Sequence, residues 1–311
     1  MTTARPENLH RTAIVVSHFG APPPWFPFFL ASCEANPSFE WILYSDFEVM
    51  GAPTNVTHEK LSLSDYVAMF EEKLGIDLSA ARRDAYKICD MRPAIGYVLA
   101  DRLAGYDYWG YGDLDVVYGD LAAHFGPQLG TFDVISTHTY LLSGHLVFFR
   151  NTKTLRGLFS ALPDWRRLMS SAVHVAFDEK QMSQFFFQGM PDRRLFLFAP
   201  LFIPRIMVNG EEIVGHFEER FSTFNRPRLL PNGHIGRVEE WVWRDGILTA
   251  DALLEESLAY AHFSAWASGR YALQRTGAKS WNKGGMEIDP SLMVPYQAFR
   301  ITETGFHAPA G

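Results

Sequence analysis

From Thr12 to about residue 190, short β-branched and apolar runs alternate with helix-length amphipathic segments, and this alternation confines the chain to a layered α/β architecture. Thr12 to Phe19 reads as a buried first strand, stopped by Gly20 and Pro22-Pro23-Pro24, with a helix over Trp25 to Ala35. Trp41 to Tyr44 is a second strand ending at Ser45-Asp46. Ser64 to Leu74 forms an amphipathic helix capped by Ser62 or Ser64 and stopped by Gly75. Asp90 would cap a helix running to Leu103, with Pro93 tolerated in its first turn.

Tyr106 to Tyr111, Phe132 to Ser136 and Leu146 to Phe149 read as further strands, and Thr152 to Ala161 and Asp178 to Gln188 as helices. Such an order implies a mainly parallel sheet covered on both faces, with ligands bound beyond the carboxyl ends of its strands. His18-Phe19-Gly20, Asp46 and the acidic pair described below would then meet in one crevice. After residue 204 the character changes. Asn209-Gly210 and Asp245-Gly246 are hairpin signals, Pro231-Asn232-Gly233 is a third turn, and a helix is expected over Ala252 to Ala267. We read residues 1–204 as a core and 205–311 as a C-terminal β-hairpin and helix elaboration that completes the site, one continuous structural unit.

The stretch Trp109-Gly110-Tyr111-Gly112-Asp113-Leu114-Asp115-Val116-Val117-Tyr118 carries the chemistry. In extended backbone the carboxylates of Asp113 and Asp115 project to the same side. Like charges held that close repel unless a cation or shared proton lies between them. A divalent ion with oxygen ligands is the natural partner, and such ions commonly carry phosphorylated substrates.

The remaining composition narrows the partners. A formal net charge of −7, with Arg82-Arg83, Arg166-Arg167 and Arg193-Arg194 as isolated pairs, argues against nucleic-acid binding. An acidic chain that handles a nucleotide diphosphate needs a local positive charge or a metal. Cys33 and Cys89 lack metal-ligand spacing and read as reduced thiols. Met1 to Arg11 has no signal-peptide core, and no run approaches the roughly 20 apolar residues of a membrane span. A cytoplasmic protein is expected, with peripheral membrane contact open to the apolar runs Trp25 to Ala31 and Leu195 to Ile203.

Two segments in fixed order carry a family resemblance. They are Lys87-Ile88-Cys89-Asp90-Met91-Arg92-Pro93-Ala94 and Tyr106-Asp107-Tyr108-Trp109-Gly110-Tyr111-Gly112-Asp113-Leu114-Asp115. Over roughly residues 12 to 200 the chain resembles GT-A-type glycosyltransferases and, more narrowly, bacterial glycosyltransferase-like proteins with an Asp-x-Asp motif. The resemblance implies a Rossmann-like GT-A fold that binds a nucleotide diphosphate sugar, such as a UDP- or GDP-sugar, with Mn²⁺ or Mg²⁺. Asp115 would be the direct metal ligand, and Asp113 would reach the ribose, the donor sugar or a metal-bound water.

The resemblance further implies that His18, Phe19, Gly20 and Asp46 contact the base and ribose, while Lys87 or Arg92 faces the phosphates beside Asp90. His262, on the expected late helix, would complete the metal shell, although the Gly and Lys of the related His-x-Gly-x-x-Lys pattern are absent. Asp178 and Glu179, after Phe177, are candidate acceptor-binding or base residues. His138 and His145 flank Ser143-Gly144, where a sugar would rest. The expected function is metal-dependent transfer of a sugar to a hydroxyl acceptor in bacterial polysaccharide or glycoconjugate synthesis. The alternatives are a haloacid-dehalogenase-type phosphohydrolase, for which Asp113-x-Asp115-x-Val117 supplies the motif, and a non-catalytic carbohydrate-binding protein.

Overall fold

A central mixed sheet organises the chain. It consists of β1 (Thr12–His18), β2 (Phe39–Ser45), β3 (Val56–Lys60) and β4 (Tyr108–Gly112), followed past the short β5 (Val116–Tyr118) by β6 (Val134–Ser136) and β7 (Leu146–Arg150). It closes with β8 (Leu201–Phe202), β9 (Arg205–Val208) and β10 (Glu211–Glu218). The strand order is β3-β2-β1-β4-β7-β6-β10-β8, with β9 on β10. The pairs β1–β2, β2–β3, β1–β4 and β6–β10 are parallel, whereas β7 runs antiparallel to both its neighbours. This computed structural model describes residues 10–190, 192, 199–220, 228–229, 235–236, 238–251, 257–263, 287–292 and 296–309. Among them, no helix is long and apolar enough to cross a membrane.

The sheet's two faces follow from strand alternation. Ala13, Val15, Ile42, Tyr44, Trp109, Tyr111, Val147 and Phe149 point into one core, with helix α2 (Leu63–Leu74). Ile14, Val16, Trp41, Leu43, Tyr108, Leu146 and Phe148 point into the other, with helix α1 (Phe26–Glu34). Helix α2 begins where the sequence suggests: the Ser62 side chain accepts the Asp65 N–H, and Gly75 ends the helix in left-handed conformation.

The later strands comprise a short ladder of β11 (Arg228–Leu229) and β12 (Ile235–Gly236), then β13 (Glu240–Arg244), β14 (Ile247–Ala250) and β15 (Tyr260–His262). They end with β16 (Glu287–Ile288), β17 (Ala298–Thr302) and β18 (Gly305–His307). A five-stranded sheet, β14-β13-β17-β18-β16, packs Trp241, Trp243, Phe299 and Phe306 against Phe28 of α1 and Val117 of β5. Both expected hairpins form. Asn209 and Gly210 join β9 to β10, Asp245 and Gly246 join β13 to β14, and all four have positive φ. The third expected turn, Pro231-Asn232-Gly233, lies outside the described residues.

Two expectations are corrected. No continuous helix runs from Asp90 to Leu103. A 3₁₀ segment covers Ala85–Ala94 and one helical turn covers Ile95–Val98, and it is Asp84 that caps the segment, accepting the Tyr86 N–H. Pro93 supplies no N–H for a ladder there. The helix expected over Ala252 to Ala267 is also overturned where it is described, because Tyr260–His262 is a strand, β15, paired antiparallel with β5. Its other portions, 252–256 and 264–267, lie outside the described residues.

Candidate active site

Parallel register brings the first binding segments together. Val16 is opposite Gly112 and His18 opposite Ser45, so β1, β2 and β4 end side by side. The Gly20 N–H donates to Asp46 Oδ1 at 2.8 Å, tying the loop after β1 to the end of β2. His18 lies edge-on to Phe47, and its Nε2 sits 3.2 Å from the Ala21 carbonyl. Phe19 packs on Tyr66. Burial lowers the His18 pKa, and nearby Asp46 and Asp113 oppose that shift. The ends of β1 and β2 therefore bring His18, Phe19, Gly20 and Asp46 together, with Asp113 near enough to His18 to act on its charge.

Asp113-Leu114-Asp115 is the short link between β4 and β5. The His145 carbonyl accepts the Asp113 N–H at 3.3 Å, the Trp25 indole N–H donates to the Leu114 carbonyl at 2.9 Å, and the Phe263 N–H donates to the Asp115 carbonyl at 3.1 Å. Three distant segments thus immobilise a loop that would otherwise splay its charges. Pairing of β15 with β5 sets His262 opposite Val116, with Nε2 3.7 Å from Asp115 Oδ1. One ligand atom each from Asp113, Asp115 and His262 lies within 4.8 Å of the others. Among the described residues, no other group of His, Cys, Asp or Glu has this arrangement.

Electrostatics makes the cluster want a cation. Burial and then the Asp113 charge push the Asp115 carboxyl up to about 8. Burial, with His138 and Arg92 adding to it, pushes the His262 imidazole down to about 3, so it is neutral and able to ligate. Its ring stacks on His145 at 3.9 Å, and His145 Nε2 lies 2.7 Å from the Tyr260 hydroxyl. Two carboxylate oxygens and one imidazole nitrogen fit Mn²⁺ well. Mg²⁺ and Ca²⁺ prefer all-oxygen shells.

Arg92 stands between this cluster and a second acidic element. It pairs with Asp113, donates to the Gly144 carbonyl at 2.8 Å and lies 3.4 Å from Asp178 Oδ2. Burial works against its charge, and Asp113 and Asp178 more than offset that, so its pKa rises. Asp178 and Glu179 begin a single π-helical turn, Phe177–Gln181, which continues as a 3₁₀ turn, Met182–Phe185, in place of the regular helix expected there. Asp178 is buried, and burial raises its carboxyl to about 7 against the pull of Arg92, with Glu179 adding to the rise. Gly144 makes room for both acids: a Cβ there would lie 2.8 Å from Glu179 Oε1 and 3.1 Å from Asp178 Oδ2. One residue beyond Glu179, Lys180 and Gln181 join Gln184, Gln188, Phe185 and Phe187 around a cavity of about 670 Å³.

Lys87 and Asp90 lie elsewhere than expected. Both are buried, 2 % and 0 % exposed, and they pair with each other at 2.6 Å. Of the Lys87, Asp90 and Arg92 set, it is Arg92 that reaches Asp113. His138 lies 3.2 Å from Glu219 and edge-on to His145, whose ring stacks on His262.

A family model covering residues 14–271 decides the affiliation. The chain belongs to DUF6625, a family of unknown function. No curated protein matches it. Among solved structures, this DUF6625 member is similar to the galactosyltransferase LgtC in complex with donor and acceptor sugar analogs. That likeness has 12 % identity over 55 % of this chain and 68 % of the other, with a TM-score of 0.32. It is also similar to mouse xyloside xylosyltransferase 1 (7 %, 51 % and 71 %, TM-score 0.33). A third is the glycosyltransferase GlyE of Streptococcus pneumoniae TIGR4 (13 %, 58 % and 44 %, TM-score 0.30). Likenesses this faint carry no weight alone, and the chemistry of the DUF6625 site rests on its residues.

Proposed function

We propose that this protein is a metal-dependent glycosyltransferase that moves a sugar from a nucleotide diphosphate donor to a hydroxyl acceptor. The observation that carries the reading is the cluster of Asp113, Asp115 and His262 ligand atoms, within 4.8 Å of one another, beside the carboxyl end of β4, which runs parallel to β1 in the mixed sheet. Residues 1–204 would supply the donor-binding core, and 205–311 would complete the site by delivering His262.

In this reading the nucleotide lies against His18-Phe19-Gly20, in a loop shaped by the Asp46 carboxylate. A divalent cation held by Asp113, Asp115 and His262 would neutralise charge developing on the leaving diphosphate. Arg92 adds a fixed positive charge directed at the donor sugar side, without cost of reorganisation because Asp113, Asp178 and the Gly144 carbonyl already hold it. Glu179 is less buried than Asp178, so it is the base for the acceptor hydroxyl, while Asp178 orients Arg92. The acceptor oxygen bonds to the anomeric carbon, the bond from that carbon to the diphosphate breaks, and the nucleotide diphosphate leaves with the electron pair. The hydroxyl proton passes to Glu179. The cavity lined by Lys180 and Gln181, with glutamine amides and phenylalanine rings, would suit a saccharide-like acceptor.

Calorimetry with UDP and GDP, with and without MnCl₂, tests the reading. Binding of one nucleotide that tightens with Mn²⁺ and disappears in Asp115→Ala supports it. Absence of binding under all conditions rejects it. The phosphohydrolase reading fits less well, since its nucleophile, Asp113, is engaged by Arg92 and follows the fourth strand in chain order.

A further inference from the structure

The segment just ahead of Asp178 turns through Ala176, whose φ of 52° and ψ of 51° are left-handed values that an alanine rarely adopts. Its carbonyl accepts the Lys180 N–H at 2.8 Å and, in the i→i+5 bond of the π-helical turn, the Gln181 N–H at 3.4 Å. On either side of Ala176 the backbone is gripped by one carboxylate. Asp90 Oδ1 accepts the Phe177 N–H at 2.7 Å, and Asp90 Oδ2 accepts the Val175 N–H at 3.0 Å. The same carboxylate is 2.6 Å from Lys87 Nζ and 3.2 Å from His174 Nδ1. Lys87 Nζ also donates to the Leu168 carbonyl at 3.2 Å, fixing the ammonium from the far side. An ionised acid with no solvent exposure is sustained only by such a set of donors.

We infer that Asp90 is a positioning residue. Its carboxylate imposes the left-handed turn at Ala176 and thereby delivers Asp178 to Arg92 and Glu179 to the space beside Gly144, with Lys87 as its counter-ion. The inference rests on the proposed roles of Asp178 and Glu179, but the clamp is a property of the chain that can be measured without them. It also gives the Lys87-x-x-Asp90 spacing a purpose inside the protein: at i and i+3 of a 3₁₀ segment the two side chains lie over one another.

The test uses the full chain as wild type, Asp90→Asn, Ala176→Gly and the double variant. Peptide-level hydrogen exchange reads the 174–181 segment, MnCl₂ titration reads the metal cluster, and nucleotide release from UDP- and GDP-sugars reads turnover. In Asp90→Asn, exchange of 174–181 should quicken by about tenfold or more and kcat should fall by a similar factor, since charge-assisted bonds are lost. Mn²⁺ affinity should stay within about threefold, because Asp113, Asp115 and His262 are held by other contacts. Adding Ala176→Gly should recover much of the lost turnover, as glycine takes the turn unaided. Unchanged exchange in Asp90→Asn, or a double variant no better than Asp90→Asn, overturns the inference. Should Asp90→Asn fail to fold, Ala176→Gly alone decides: slower exchange across 174–181 supports an imposed turn, and faster or equal exchange rejects it. Failure of wild type to bind Mn²⁺ would count against the glycosyl-transfer reading while leaving the exchange result for the clamp intact.

Discussion

Asp115, half-buried, and Asp178, fully buried, are both acids with raised pKa values, yet the protein treats them differently. Asp178 has a guanidinium 3.4 Å away, tempering the rise caused by burial to about 7. Asp115 has Asp113 as its main charged neighbour, which adds to burial and takes it to about 8, while Arg92 acts on it only through space. One acid carries an internal counter-ion. The other lies beside a second carboxylate, itself paired with Arg92, and a neutral imidazole. In the proposed reading, that contrast separates the part of the site that would serve the acceptor from the part that would hold a cation.

The largest effect expected from breaking the contrast is at Asp115. Asp115→Ala should lower turnover by about a thousandfold or more and abolish Mn²⁺ binding, as expected for a group acting through a bound ion. Its melting temperature without metal should hold or rise, because a buried acid beside Asp113 is removed. A fall of several degrees would mean that Asp115 is a structural residue.

Next comes the other acidic element. Glu179→Gln should reduce kcat by about a hundredfold to ten-thousandfold, the usual range for loss of a positioned base, with Mn²⁺ affinity retained. Steady-state kinetics alongside metal titration separates the two. Equal loss of both would erase the distinction between the acids.

A smaller effect is expected at His262. His262→Ala should weaken Mn²⁺ by about tenfold to a hundredfold and Mg²⁺ by less, since the imidazole favours the softer ion. Equal weakening would argue that His262 packs near the cluster without ligating.

The pH dependence sharpens the comparison most finely. Asp115 and Asp178 have folded pKa values raised above their unfolded ones, so the metal-free native state binds more protons and these groups lose stability as pH rises toward 7 and 8. Burial lowers His262 to about 3 and His124 and His216 to about 4, so these groups contribute stability that grows as pH rises to about 6.5, where unfolded imidazole loses its proton. In EDTA the melting temperature should therefore hold up to about pH 6.5 and decline to about 8. Added Mn²⁺, displacing a proton from the cluster, should raise it more at pH 8 than at pH 6. Thermal scans across pH with Asp115→Asn as control check both signs.

Much of the frame was legible in the sequence because its signals are local. The apolar run of β1 with its proline stop, the Ser62 cap of α2 and the two positive-φ hairpin pairs each state their structure within a few residues. The polar edge strand β3, Val56-Thr57-His58-Glu59-Lys60, hid because it pairs on one side only and needs no apolar run. His262 falls within the helix expected over Ala252 to Ala267, but β5, more than a hundred residues earlier, draws it into a strand.

The candidate site was legible in identity more than in connection. Asp113, Asp115 and His262 do come together, and His18, Gly20 and Asp46 meet at the ends of β1 and β2. Arg92's bridge to Asp178, across 86 residues, the indole of Trp25 under Leu114 and His174 beside Asp90 left no local trace. Lys87 and Asp90 were visible as a motif, but burial turned them inward to hold the Ala176 turn.

The most direct measurement is titration of the wild-type protein with MnCl₂, followed by UDP and GDP, beside the same titration of Asp115→Ala. The account predicts a Mn²⁺ site whose occupancy tightens one nucleotide and which vanishes in the variant. Nucleotide binding that ignores Mn²⁺ and survives in Asp115→Ala would contradict it.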